Sequence, residues 1–384
     1  MVRLKIKNLS KSLKISQAEI KRLRDSHNRI YFPQHVHFQS QSSISRPYIP
    51  KSIPQVVILP RKHDYINALY DAMPEGSFIE RPLSKSLQPD KVDILHLHFP
   101  EHLLVCSDHD RAQRESEYLK FIKEVGRSPI RVVWTMHNRL PHSGDPEWGR
   151  KLYRAWAAVA DGVIHHSHWG MELMRVELPY KPEAQHVIIP CGHFGEQMPT
   201  IKPRGTLERE LGLKPCTMRF GVLGRPQKEK QVELITRAFH KGARQNQQLL
   251  VAAVTKDMEL PDDPRIIPIY RKGWLSREEI ACHVRVCDAL VCAHTGQTYL
   301  TSGQVADAVG VGIPMLVGEW GFFREIMGDA AWYFNGAESD LAQLFGHITS
   351  TDIEAGKRAS TALQHKYSWP LAAAKTLALF KKLG

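Results

Sequence analysis

Two cations bracket a tight turn in the stretch Arg219-Phe220-Gly221-Val222-Leu223-Gly224-Arg225-Pro226-Gln227-Lys228-Glu229-Lys230. It begins as a short apolar run ending in Gly224, the pattern of a buried strand. After Pro226 it enters a segment where Val232, Leu234, Ile235 and Phe239 recur at helical spacing. Arg225 and Lys230 therefore flank a strand-to-helix turn. In an open α/β sheet, ligands lie in the crevice beyond the carboxyl ends of the strands, where helix N-termini already favour an anion. A guanidinium and an ammonium added there make a pocket suited to a diphosphate, with no metal required. The same residues also read as a strand, a loop and a helix with two solvated cations.

Histidines form the second group with chemical potential. The strand expected over 92–98 alternates so that His96 and His98 share a face, with Glu101 just past its end. A second strand, 131–136, ends at His137 and Asn138, and a third carries His165 and His166, which alternation turns to opposite faces. No third ligand stands at metal-binding spacing from the His96/His98 pair, so no metal is expected. The Asp108-His109-Asp110 triplet opens a polar helical stretch and reads as surface.

The elements that must position these residues alternate strand and helix. Gln55 to Pro60 is the first clear strand, and no Gly-rich dinucleotide fingerprint follows it, which argues against a nicotinamide or flavin enzyme. At 384 residues the chain is long enough for two domains with full cores, and 42% hydrophobic with 24% charged is ordinary for a globular protein. No apolar run is long enough to span a membrane, and the basic N-terminus lacks an apolar signal core. Six Cys without C-x-x-C spacing suggest reduced thiols and a cytoplasmic location. The net charge of +12 points to an anionic partner. Much of it is concentrated in residues 1–51, where Ser16 to Glu19 fits a capping box before Ile20 and Leu23. That segment reads either as a solvated helix over the first domain or as a peripheral contact with an anionic membrane surface. Charge alone suggests nucleic acid; no recognition module supports it, and no nucleic-acid partner is expected.

Gly224-Arg225-x-x-x-Glu229-Lys230 before an apolar helix resembles the donor-phosphate element of GT-B glycosyltransferases, in particular the family 4-like group. The resemblance implies that Arg225 and Lys230 bind the donor diphosphate and stabilise it as it leaves, with Gly224 and Glu229 in the same element. His96-Leu97-His98-Phe99-Pro100-Glu101 is similar to the HxHWPE-type segment of some bacterial polysaccharide glycosyltransferases, which puts His98 and Glu101 on the acceptor side. Thr135-Met136-His137-Asn138, with Pro141-His142 after it, is similar to the group's TxHN segment. It implies His137 beside the donor sugar, positioning it by hydrogen bonds, and Asn138 at the cleft. His186 to His193 resembles the strand that closes the first domain. In the second domain, Thr301, Ser302 and Gly303 match the loop that offers amides to phosphate. Aligned on Gly312-x-Pro314, Asp307 takes the place of the second Glu of the group's E-x7-E pair, which holds the ribose. The first place falls on Tyr299, which is not acidic, so the sugar contacts and the stereochemistry stay open. Gly321 to Ala331 resembles a further motif behind the donor loop, and the Tyr367-Ser368-Trp369 helix resembles one that returns to the first domain.

The implied organisation is α/β, two Rossmann-like domains facing a central cleft. Residues 1–53 form a basic extension and linker, 54–198 an acceptor-side domain, 199–215 a linker, 216–366 a nucleotide-sugar domain and 367–384 the returning helix. The implied activity is sugar transfer from a UDP- or GDP-sugar to a glycan or lipid-linked acceptor in cell-envelope glycan synthesis, with neither metal nor cofactor. A non-catalytic GT-B scaffold that binds a sugar nucleotide is the alternative.

Overall fold

The computed structural model describes residues 53–61, 63–83, 91–103, 110–141, 145–195, 198, 202–224, 230–256, 258–270, 275–294 and 299–384. Residues 1–51, with their capping box, and Asp108 and His109 of the acidic triplet lie outside them.

In the first half β1 (Gln55–Leu59), α1 (Asp64–Asp71), β2 (Ile79–Glu80), β3 (Ile94–Leu97), α2 (Arg111–Arg127), β4 (Arg131–Thr135), α3 (Pro146–Ala157), β5 (Gly162–His165), α4 (His168–Glu177) and β6 (Gln185–Ile188) follow one another. Their strands form one parallel sheet in the order β2-β1-β3-β4-β5-β6. The central strands are short apolar runs buried on both faces, as a helix-covered parallel sheet requires.

The second half runs α5 (Arg204–Glu210), β7 (Met218–Val222), α6 (Val232–Gly242), β8 (Gln247–Val254), β9 (Ile266–Tyr270), α7 (Arg277–Arg285), β10 (Ala289–Cys292), α8 (Gly303–Val311), β11 (Met315–Gly318), α9 (Gly321–Met327), β12 (Ala331–Phe334), α10 (Glu338–His347), α11 (Ser350–Lys366) and α12 (Trp369–Leu383). Its parallel sheet has the order β12-β11-β10-β7-β8-β9. Each sheet reverses direction beside its first strand, at β1/β3 and at β7/β10, and such switch points open ligand crevices at the strands' carboxyl ends. The fold is the expected pair of Rossmann-like domains. Residues 199–215 include α5, whose single buried residue, Leu207, leaves little apolar periodicity to read.

Several contacts join the two halves. Glu325 of α9 accepts from the backbone amides of His168 (2.8 Å) and Trp169 (2.9 Å), so it caps α4 of the first sheet's layer. Asn138 and Tyr299 form an antiparallel bridge, and the Leu300 amide donates to the His137 carbonyl at 3.1 Å. At the base of the cleft Gly195 and Gly310 approach so closely that a Cβ on either would lie 2.5 Å from the other's backbone. Helix α12 buries Trp369, Ala373, Leu377 and Phe380 in the core formed by β1 and α1.

Candidate active site

Lys230 stands at the carboxyl ends of β7 and β10, beside the switch point of the second sheet, and is 7% exposed. Its Nζ donates to the Leu223 carbonyl at 2.6 Å, an oxygen that also accepts from Gln304 Nε2 at 2.9 Å. Burial lowers the ammonium's pKa, and Cys292 and Asp307 act to raise it. Among the described residues no carboxylate pairs directly with Lys230; its hydrogen-bond partner is a carbonyl, and Asp307 acts on it only at a distance. Gly224 has φ +102°, and a Cβ there would lie 2.6 Å from the Lys230 Nζ. Glycine is thus required twice at that turn, for its backbone conformation and for the room it leaves the ammonium. Arg225 and Glu229 lie outside the described residues.

The loop before α8 forms the next wall. Ser302 occupies the N-cap position of α8 without a side-chain cap bond, and the Thr301 Oγ1 is buried without a partner. Amides at an uncapped helix start suit an anion. A small crevice lies between Thr301 and Ser302, Cys191 and His193 of the first half, and Phe322 and Tyr367. Asp307 is 7% exposed and its carboxylate is held by Arg277 of α7, Nη2 to Oδ1 2.7 Å. Arg277 was not among the residues read from sequence; only folding brings α7 to α8.

Across the cleft the strand ends of the first sheet present a wall of imidazoles. A carbonyl oxygen only accepts, so His166 Nδ1, 2.9 Å from the Ile189 carbonyl, carries a proton. In a neutral ring its Nε2 then accepts from His137 Nδ1 at 3.2 Å. His137 Nε2 and His98 Nδ1 stand 3.2 Å apart, and His98 Nε2 is buried without a partner. Neutrality follows from burial, which pushes His166 down to about 4 and His98 well below its ordinary value. His96, its face shared with His98 at a ring separation of 4.2 Å, bonds Tyr70 and Thr135 (2.6 and 2.8 Å). As alternation requires, His165 turns away and meets His186 Nδ1 at 2.9 Å.

Both ring nitrogens of His137 meet neighbouring imidazoles, its ring lies on Phe99 at 4.3 Å, and its carbonyl accepts from the Leu300 amide in the loop before α8. Glu101, on the turn after β3, accepts from Tyr153 at 3.2 Å and, more weakly, from Asn138 at 3.5 Å. Burial raises its carboxyl to about 7, against hydrogen bonds that lower it. The structure therefore places His98, Glu101, His137 and Asn138 together, and Lys230, Asp307 and the 301–303 loop together. The Asn138–Tyr299 bridge joins the two groups. Among the described residues no group of three or more His, Cys, Asp or Glu could hold a metal ion.

No family model matches the chain, and no curated protein sequence does. Solved structures do. The Anabaena Alr3699/HepE protein, solved with UDP and glucose, is 11% identical over 86% of this chain and 100% of its own, with a TM-score of 0.62. A glycosyltransferase from Rickettsia africae is 11% identical over 87% and 99%, TM-score 0.58. Sucrose-phosphate synthase from Thermosynechococcus elongatus is 15% identical over 76% and 74%, TM-score 0.57. At such identities the likeness shows the fold, GT-B, and nothing finer.

Proposed function

We propose that the protein transfers a sugar from a nucleoside diphosphate sugar, UDP- or GDP-linked, to an acceptor held by the first domain. The observation that carries this reading is Lys230, a buried cation at the switch-point crevice that no carboxylate among the described residues pairs with directly. A diphosphate supplies a direct partner for that charge. That HepE was solved with UDP and with UDP-glucose adds support. When the bond from the anomeric carbon to the phosphate oxygen breaks, the oxygen leaves with the electron pair. Lys230, the amides of Thr301 to Gly303 and, by resemblance, Arg225 meet the growing charge. The acceptor hydroxyl forms the new bond and gives up its proton. Asp307 holds the ribose, and the His98–His137–His166 row keeps the acceptor-side wall rigid, uncharged and dry. Glu101 and Asn138 border the acceptor.

Incubation with a panel of UDP- and GDP-sugars is expected to release free nucleoside diphosphate from at least one, water serving as a slow acceptor. Tight nucleotide binding with no release from any donor would instead favour a non-catalytic scaffold, the reading that the non-acidic Tyr299 keeps in play.

The acceptor class follows from the resemblance and the charge of the extension: a glycan or lipid-linked acceptor of cell-envelope synthesis, met by a cytoplasmic protein at the inner membrane face. Among the described residues no helix is long and apolar enough to cross a membrane. Flotation with anionic liposomes is expected for the full chain and to be lost without residues 1–51; equal flotation of both would remove the extension from the account.

A further inference from the structure

Two Arg–Asp pairs with buried carboxylates in the second half are built differently. Arg204 grips Asp288 with two parallel bonds, 2.7 and 3.0 Å, and Asp288 also accepts from the Arg219 amide at 2.8 Å and has Lys357 at 3.6 Å. Both oxygens of that carboxylate are engaged, as expected of a pair that holds the fold together. Arg277 gives Asp307 a single bond of 2.7 Å to Oδ1, while its Nε is buried without a partner. A carboxylate offers about four acceptor sites and a guanidinium five donors, so this pair keeps capacity in reserve at a cleft.

Arg277 is also held in place from behind. It opens α7, whose start is pinned by a reciprocal capping box, Ser276 N to Glu279 Oε2 (2.8 Å) and Glu279 N to Ser276 Oγ (3.2 Å). Its guanidinium lies 4.2 Å over the Phe194 ring. The Phe194 amide in turn donates to the Ala306 carbonyl of α8 at 3.1 Å. The guanidinium therefore cannot swing far from Asp307 without giving up its aromatic platform.

We propose that Arg277 is a positioning residue of the donor pocket, holding one oxygen of Asp307 so that the other accepts the ribose hydroxyls of a nucleoside diphosphate. The inference rests on the reading of the cleft as a donor site. The groups that face Asp307 electrostatically are Arg277 of α7, Lys230 before α6, Asp64 at the start of α1 and Cys191 after β6. Burial raises the carboxyl's pKa, and Arg277 and then Lys230 oppose that shift, while Asp64 adds to it. Without the guanidinium the carboxyl protonates at a higher pH, and a protonated carboxyl loses part of its power to accept from hydroxyls.

The test measures binding of UDP, GDP and their 2′,3′-dideoxy analogues by calorimetry between pH 6.5 and 8.5. The wild type is expected to bind one parent nucleotide at least tenfold more tightly than its dideoxy analogue across this range. Arg277→Gln is expected to lose that discrimination most at the acid end of the range and to regain it as the pH rises. Arg277→Lys, which keeps the charge, is expected to preserve it at both values. If Arg277→Gln keeps the discrimination, or if both variants lose it equally at every pH, Arg277 acts only in packing and the proposal is overturned. A wild type that binds neither parent nucleotide overturns the donor-site reading itself, and this inference with it.

Discussion

Lys230→Met is expected to lower release of nucleoside diphosphate from the preferred sugar donor by about 10²–10³, the usual loss when one preorganised charge-stabilising donor is removed. Arg225, by resemblance the second cation of this element, should give a loss of the same order. The methionine variant has a second, opposite signature. Lys230 holds a charge away from water with the Leu223 carbonyl as its hydrogen-bond partner among the described residues, and its pKa is lowered by burial. Replacing it with an apolar side chain of similar length removes that penalty, so thermal unfolding should occur at the wild-type temperature or above. A binding site that is less stable than its inert variant is the common signature of a group kept for function. Turnover close to wild type in Lys230→Met would remove this residue from the mechanism.

Arg219→Met is expected to destabilise the second domain by about 3–5 kcal/mol, the range for breaking a buried charged network by removing one partner. Arg219 opens the apolar run of β7 yet is fully buried. Its guanidinium donates to Glu208 (2.6 Å), the Val286 carbonyl (3.0 Å), the Lys214 carbonyl (2.9 Å) and Gln248 (3.1 Å). Methionine fills much of the space and leaves the two carbonyls and Gln248 without this donor, while Glu208 keeps Arg204 at 3.0 Å. Denaturant unfolding would show the loss as a lower midpoint with an unchanged slope. Because Arg219 lies at the strand end remote from Gly224, turnover per folded molecule should stay near wild type. A midpoint within experimental error of wild type would contradict the structural role.

How far the sequence reached follows from which interactions are local. The central strands were legible because a parallel sheet with helices on both faces leaves short apolar runs between turn residues, as in β4 and β7. Strand alternation correctly paired His96 with His98 and separated His165 from His166. The edge strands β2, β9 and β12 were not read; they are two to five residues long and partly exposed, so their apolar signal is weak. The turn at Gly224 and the loop before α8 stand out in the sequence because their glycines and small residues lie close together in the chain, at the starts of helices. The partners of those residues do not. Asp307 and Arg277 are 30 positions apart on different helices. The tautomer of His137 depends on a carbonyl two strands away, through His166. The motif points to His137 at the cleft, but its neighbours His98 and His166 come from other strands and are not legible from the motif.

Phosphorus-31 NMR of UDP or GDP, whichever binds, reports on the contact at the centre of this account. Binding to the wild type should shift the β-phosphorus resonance, and the shift should vanish in Lys230→Met while the nucleoside protons remain perturbed as in the wild type. An identical β-phosphorus shift in the two proteins would mean that the diphosphate lies elsewhere, and that the buried ammonium of Lys230 does not meet it.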